Sequence, residues 1–133
     1  AIRTLGCTVI GLVTPYIDAF HNNNINMLES GGDVTVASSV NLGLVKDEWT
    51  SMVDQQTITD AVKEVIRMAD TPLDAVVLGC SAFRVCVPGY ISELENETGV
   101  SIVTSTQAFY WNCLRTGGVE DQIDGYGRLF QEF

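Results

Sequence analysis

The run Ala75-Val76-Val77-Leu78-Gly79-Cys80-Ser81-Ala82-Phe83-Arg84 constrains this chain more than any other stretch. Its apolar, β-branched residues do not alternate with polar ones, which is the pattern of a strand covered on both faces. Such a strand belongs to a parallel sheet. Cys80 then falls at the strand's carboxyl end, the edge at which α/β sheets bind ligands.

The rest of the chain repeats this unit. Residues 1 to 6 read as the last turn of a helix closing at Gly6, and Thr8-Val9-Ile10-Gly11-Leu12-Val13 as a first strand. That strand is expected to stop at Thr14-Pro15-Tyr16, with Thr14 capping a helix and Pro15 in its first turn. Ile17, Phe20, Met27 and Leu28 give the helix an imperfect apolar stripe up to Gly31-Gly32, leaving His21 on a solvated face. Asp33 to Val40 is a second strand, and Asn41 to Gln56 lacks a clear period, a loop of functional length. The helix from Thr57 has the strongest periodicity in the chain, with Ile58, Ala61, Val62, Val65, Ile66 and Ala69 on one face. Thr71-Pro72 ends it ahead of the Cys80 strand. A connector with Cys86 and Pro88 opens a helix to Asn96, Val100 to Thr104 is a fourth strand, and Thr106 to Thr116 a fourth helix.

Four βα units in succession predict an α/β, flavodoxin-like three-layer domain whose four-stranded parallel sheet has the order 2-1-3-4. This order sets Thr14-Pro15-Tyr16 beside Cys80-Ser81-Ala82, across a switch point between the first and third strands. The α/β domain is expected to cover residues 1–119. Residues 120–133 form a tail whose helix is expected to pack on a partner or on a missing half, through Tyr126, Phe130 and Phe133.

A net charge of −10, with only seven basic residues scattered along 133, repels nucleic acid and acidic membrane surfaces. No apolar run approaches the ~20 residues of a membrane span, and no signal-peptide core is evident, so the expected compartment is the cytoplasm. Cys7, Cys80, Cys86 and Cys113 form neither a CxxC pair nor a zinc pattern, and the chain has one histidine. They are expected to be free thiols, with no metal bound. The glycines make no phosphate-binding motif.

Cys80 is the leading candidate for chemistry. Backbone amides of the turn that follows it stabilise a thiolate, which can act as a nucleophile or as a proton-transfer group. A buried structural cysteine is the competing reading. Tyr16 and Thr14 offer hydroxyl donors to an anionic substrate, or else belong to a capped helix. Ser81 and the hydroxyls of Thr104, Ser105 and Thr106 also gather at strand ends, where hydroxyls and amides hold a carboxylate. Arg84 can clamp a carboxylate in bidentate fashion or serve as a surface ion-pair partner.

Four motifs carry a resemblance to a known family: Gly11-Leu12-Val13-Thr14-Pro15-Tyr16, Val77-Leu78-Gly79-Cys80-Ser81, Val103-Thr104-Ser105-Thr106-Gln107-Ala108 with Trp111, and Gly125-Tyr126-Gly127-Arg128-Leu129. Together they resemble the Asp/Glu/hydantoin racemase superfamily, in its branch of maleate cis-trans isomerases and arylmalonate decarboxylases. The resemblance implies two similar α/β halves with the active site between them, this chain being the second half. It implies Cys80 as one of two facing catalytic thiols, Tyr16 as a carboxylate-binding tyrosine, and the Ser81 and Ala82 amides as the anion-holding turn. It further implies a small carboxylate substrate and no cofactor. The chain alone is expected to be inactive and to associate with itself or with the missing N-terminal half. Cys80 is followed by Ser81-Ala82-Phe83, without the histidine of glutamate racemases, and Lys46-Asp47 stands where isomerases tend to have an Asp-Asn pair. The alternative is a non-catalytic α/β module that binds a small acid or dimerises.

Overall fold

All four residues of strand β3 (Ala75–Leu78) are buried, as an uninterrupted apolar run requires when helices cover both faces of a sheet. The computed structural model describes residues 1–133. Along the chain, β1 (Val9–Tyr16), α1 (Asp18–Glu29), β2 (Thr35–Leu44), the single turn α2 (Asp47–Thr50) and α3 (Gln55–Met68) precede β3. After it come α4 (Tyr90–Thr98), β4 (Ser101–Thr104), α5 (Ser105–Thr116) and the short α6 (Arg128–Glu132).

The sheet is parallel throughout, in the order β2-β1-β3-β4. The α/β class and the strand order therefore stand as read from the sequence. Side chains alternate across the sheet. Val13, Val76 and Leu78 meet Ile58, Val62 and Val65 of α3 and Ile91 and Leu94 of α4 on one face. Ile10, Leu12, Ala75 and Val77 meet Ile25 and Leu28 of α1 and Ala108 of α5 on the other. The helices after β1 and β3 thus leave on opposite faces, which makes the β1–β3 boundary the switch point.

Local chemistry explains the element ends. Gly6 takes a left-handed φ of 71°, the Gly6 amide donates to Arg3 and the Cys7 amide to Ile2, closing the opening turn in a Schellman motif. The Asp54 carboxylate caps α3 by accepting the Thr57 amide at 2.7 Å. Thr104 and Gln107 form a capping box at the start of α5.

Four expectations need correcting. Thr14 and Pro15 do not open a helix: β1 runs on to Tyr16, and α1 starts after Ile17 with no side-chain cap. Pro15 is tolerated because the β1–β2 ladder changes register there, from Thr14 opposite Asn41 to Tyr16 opposite Leu44. Residues 41–44 are the end of β2 and no part of a loop, and Asp47–Thr50 form a helical turn. His21 is only 5% exposed, whereas Phe20 and Met27 of the supposed apolar stripe are 62% and 63% exposed. The helix is rotated because His21 finds a polar partner on β1, which a hydropathy pattern does not register.

The tail packs on its own chain. Leu129 and Phe130 are buried, the Gly127 amide donates to Ser92 Oγ at 3.0 Å, and Gln107 Nε2 donates to the Tyr126 carbonyl. Phe130 is therefore covered by this chain itself, while Phe133 keeps 41% of its surface exposed. No helix is long and apolar enough to cross a membrane.

Candidate active site

The β1 and β3 ends are drawn together by Gly79. Its amide donates to the Val13 carbonyl at 2.8 Å, one step beyond the β3 ladder. A Cβ at this position would sit 3.2 Å from both Leu12 Cδ1 and Thr14 Cγ2, closer than ordinary packing allows. Glycine lets the strand end close onto β1. The next residue, Cys80, is 8% exposed and belongs to the Val13–Leu78 cluster, with Tyr16 packed against it.

Tyr16 reaches that cluster through a break in alternation. Leu12 and Thr14 share a strand parity, and Leu12 lies in the cluster on the α1 side of the sheet. Tyr16 has the same parity, yet it packs with Val13 on the opposite side. Beyond Pro15 the strand turns over, bringing the ring to the cluster that holds Cys80. Burial, then the neighbouring Cys80 thiol, then the Asp47 carboxylate push the Tyr16 hydroxyl up to about 12. Tyr16 thus keeps its proton at neutral pH and is a hydrogen-bond donor beside the thiol.

Ser81, Ala82 and Arg84 are exposed in the turn that follows. The Ser81 and Ala82 amides donate to no group of the chain. Arg84 takes part in none of the chain's ion pairs, which join Arg3–Asp33, Lys46–Glu48, Lys63–Glu97 and Arg67–Glu64. Its guanidinium forms no ion pair within the chain and is exposed in the same turn as the two amides. In front of Tyr16 lies an open depression of about 590 Å³ lined by Tyr16, Phe20, Asn24, Val45 and Asp47. Phe20 meets the Tyr16 ring edge-on at 6.5 Å.

Thr14 is not part of this surface. It is 0% exposed, and its hydroxyl lies 2.8 Å from His21 Nδ1. The hydroxyls of the β4–α5 junction are also engaged within the fold. Thr104 caps α5, Ser105 Oγ donates to the Leu78 carbonyl at 3.3 Å, and Thr106 Oγ1 donates to the Ser81 carbonyl at 3.2 Å. The other cysteines have no comparable setting: burial pushes the Cys7 and Cys86 thiols up, and Cys113 is exposed on α5. A more apolar cavity of about 460 Å³ between α5 and the tail includes Cys86, Tyr110 and Tyr126 in its lining but neither Cys80 nor Tyr16.

Two polar residues that sequence reasoning left aside stand directly behind the site. They are His21 and Asn41, whose Nδ2 donates to the Tyr16 carbonyl at 3.1 Å and to Asp18 Oδ1 at 2.8 Å. No periodicity marks either one.

The family model for arylmalonate decarboxylase matches residues 1–130. The chain belongs to the arylmalonate decarboxylase family. It is 30% identical over 132 residues to the arylmalonate decarboxylase of Bordetella bronchiseptica, covering 98% of this chain and 53% of that protein. It is 23% identical over 128 residues to the maleate isomerase of Geobacillus stearothermophilus, covering 96% and 49% of the two chains. This family member thus spans about half the length of the curated relatives it matches. A crystal structure of arylmalonate decarboxylase superposes with a TM-score of 0.83 at 28% identity, over 97% of this chain and 55% of that one. A mutant of Nocardia farcinica maleate cis-trans isomerase with a covalently bound succinylcysteine intermediate superposes with a TM-score of 0.88 at 19% identity, over 99% and 52% of the chains. The two structures share the fold of this family member, in agreement with the branch read from its motifs.

Proposed function

We propose that this chain is one half of an isomerase, decarboxylase or racemase that acts without a cofactor on a small carboxylic acid, with Cys80 as the reacting thiol. The observation that carries the reading is the packing of Tyr16 against the buried cluster that holds Cys80, at neighbouring strand ends where ligands of open α/β sheets bind. The relatives' names, arylmalonate decarboxylase and maleate isomerase, supply the substrate class.

The geometry supports the following roles. The substrate carboxylate accepts the Ser81 and Ala82 amides, whose hydrogens have no partner in the chain, and the Arg84 guanidinium supplies a counter-charge. The α-carbon first loses a second carboxylate as carbon dioxide, or a hydrogen to a base on the facing half, and the broken bond leaves its electron pair on that carbon. Cys80 then delivers its proton there. Alternatively its thiolate adds to one alkene carbon and the π pair moves to the other; after rotation about the C–C bond that pair re-forms the alkene and expels the thiolate. A proton delivered by Cys80 leaves a thiolate, and the Tyr16 hydroxyl then donates to that sulfur or to the carboxylate. Thr14 acts from beneath, through the strand end. The half of the site facing Cys80 comes from the remaining part of the protein or from a second copy.

Turnover by the full-length protein tests this, with an arylmalonate and maleate as substrates. Cys80→Ala is expected to abolish turnover while thermal unfolding stays cooperative. Wild-type turnover in Cys80→Ala would sink the reading. Saturable binding of either acid by a wild type that never converts it would replace it with a small-acid-binding module.

A further inference from the structure

We propose that Asn41 and His21 are positioning residues that hold Tyr16 against Cys80 from behind, each fixing one side of the turn on which Tyr16 stands. The inference rests on the reading of Cys80 and Tyr16 as the reacting pair.

The backbone around Tyr16 has few restraints of its own. Pairing of β1 with β3 ends at Val13 opposite Leu78, and only the Gly79 amide extends it. Pro15 has no N–H to give to either neighbour. Pairing with β2 resumes at Tyr16 opposite Leu44 only after a register shift. The strand end that must aim the phenol is therefore the least bonded part of β1.

Side chains make up the deficit. Thr14 and His21 flank the turn and bond across it at 2.8 Å in a buried position, while the His21 amide donates to the Ile17 carbonyl at 3.0 Å. The Thr14–His21 bond closes the segment on which Tyr16 stands. From the β2 side, the Asn41 carboxamide donates to the Tyr16 carbonyl and to the Asp18 carboxylate, linking the last residue of β1 to the first of α1. A carboxamide suits this place because it donates to both acceptors without adding charge. An aspartate there would repel Asp18 and lose both bonds. Burial lowers the proton affinity of His21, against the pull of Asp18, so the ring bonds Thr14 as a neutral group.

The test uses the whole chain with Asn41→Leu, which removes both bonds without adding charge, His21→Leu, Tyr16→Phe and the double variant Asn41→Leu/Tyr16→Phe. Tyr16 ionisation is read as the difference in ultraviolet titration between proteins with and without the phenol. Cys80 reactivity is read as its iodoacetamide alkylation rate, resolved by peptide mass spectrometry. The groups facing the phenol are Cys80 and Asp47. Asn41→Leu and His21→Leu are expected to lower the Tyr16 midpoint by roughly one pH unit, toward the ordinary tyrosine value near 10. Asn41→Leu and Tyr16→Phe are expected to change Cys80 alkylation in the same direction without adding in the double variant. A wild-type Tyr16 midpoint in both variants, or strictly additive alkylation effects, overturns the proposal. If Asn41→Leu loses cooperative unfolding, Asn41→Ser replaces it and is judged by the same two readouts. The underlying reading fails separately, if Tyr16→Phe alone leaves Cys80 alkylation unchanged.

Discussion

Glu95 accepts the Arg128 amide at 2.8 Å through Oε2, while its other oxygen accepts the Ile102 amide at 2.9 Å. One buried carboxylate thus ties α4 to both β4 and the tail. Gly127, beside it, has a φ of 79°, and a Cβ there would lie 2.6 Å from Ile91 Cγ2 and 2.9 Å from Glu95 Oε2. Only glycine seats the tail against α4.

Glu95→Ala leaves two buried amides without acceptors, and the expected loss is about 2–4 kcal/mol in urea denaturation. Burial raises the Glu95 pKa, against the opposing pull of the two amides and Arg128. A raised folded value means that the folded state holds the proton more tightly. The stability gained from this is full below the unfolded pKa of about 4.3 and is lost as pH rises through the folded value. Glu95→Gln is expected to flatten that part of the pH–stability curve.

His21 has the opposite sign. Its pKa is lowered by burial, so its contribution to stability is full above the unfolded pKa of about 6.5 and is lost as pH falls through its depressed folded value. Urea midpoints are expected to drop below about pH 6.5 in the wild type and to drop less in His21→Gln.

Gly11→Ala tests how closely α3 rides on β1. A Cβ at Gly11 would lie 2.2 Å from Val65 Cγ1 and 3.0 Å from Leu73 Cδ1. Helix and strand must separate to admit the methyl, and a loss of about 1–3 kcal/mol is expected in thermal or urea unfolding.

Tyr16→Phe removes the donor beside Cys80 while keeping the ring against its cluster. In the full-length protein, kcat is expected to fall by about 10²-fold with the unfolding midpoint little changed, as for the loss of one preorganised donor. Steady-state kinetics on an arylmalonate checks it.

The sheet, its order and the place of Cys80 were legible because each rests on a local apolar pattern. Ala75 to Leu78 is buried on both faces and reads so, and α3 buries Ile58, Ala61, Val62 and Val65 as its period requires. α1 departs from its apolar pattern because it buries a histidine and exposes Phe20 and Met27, so its polar and apolar residues exchange their usual places. Thr14 looked like a cap for the related reason that threonine before proline commonly begins a helix. Here its hydroxyl is taken by His21.

The sequence by itself determined the doubly wound sheet and a thiol at the end of its central strand, because apolar periodicity is a property of neighbouring residues. The tertiary structure alone decided that Tyr16 turns over to meet Cys80, that His21 and Asn41 stand behind it, and that Glu95 holds the tail. Each depends on a hydrogen bond between residues as far apart as Asn41 and Tyr16 or Glu95 and Arg128. A polar side chain's partner is set by where the fold places the two groups, and hydropathy along the chain carries no record of it.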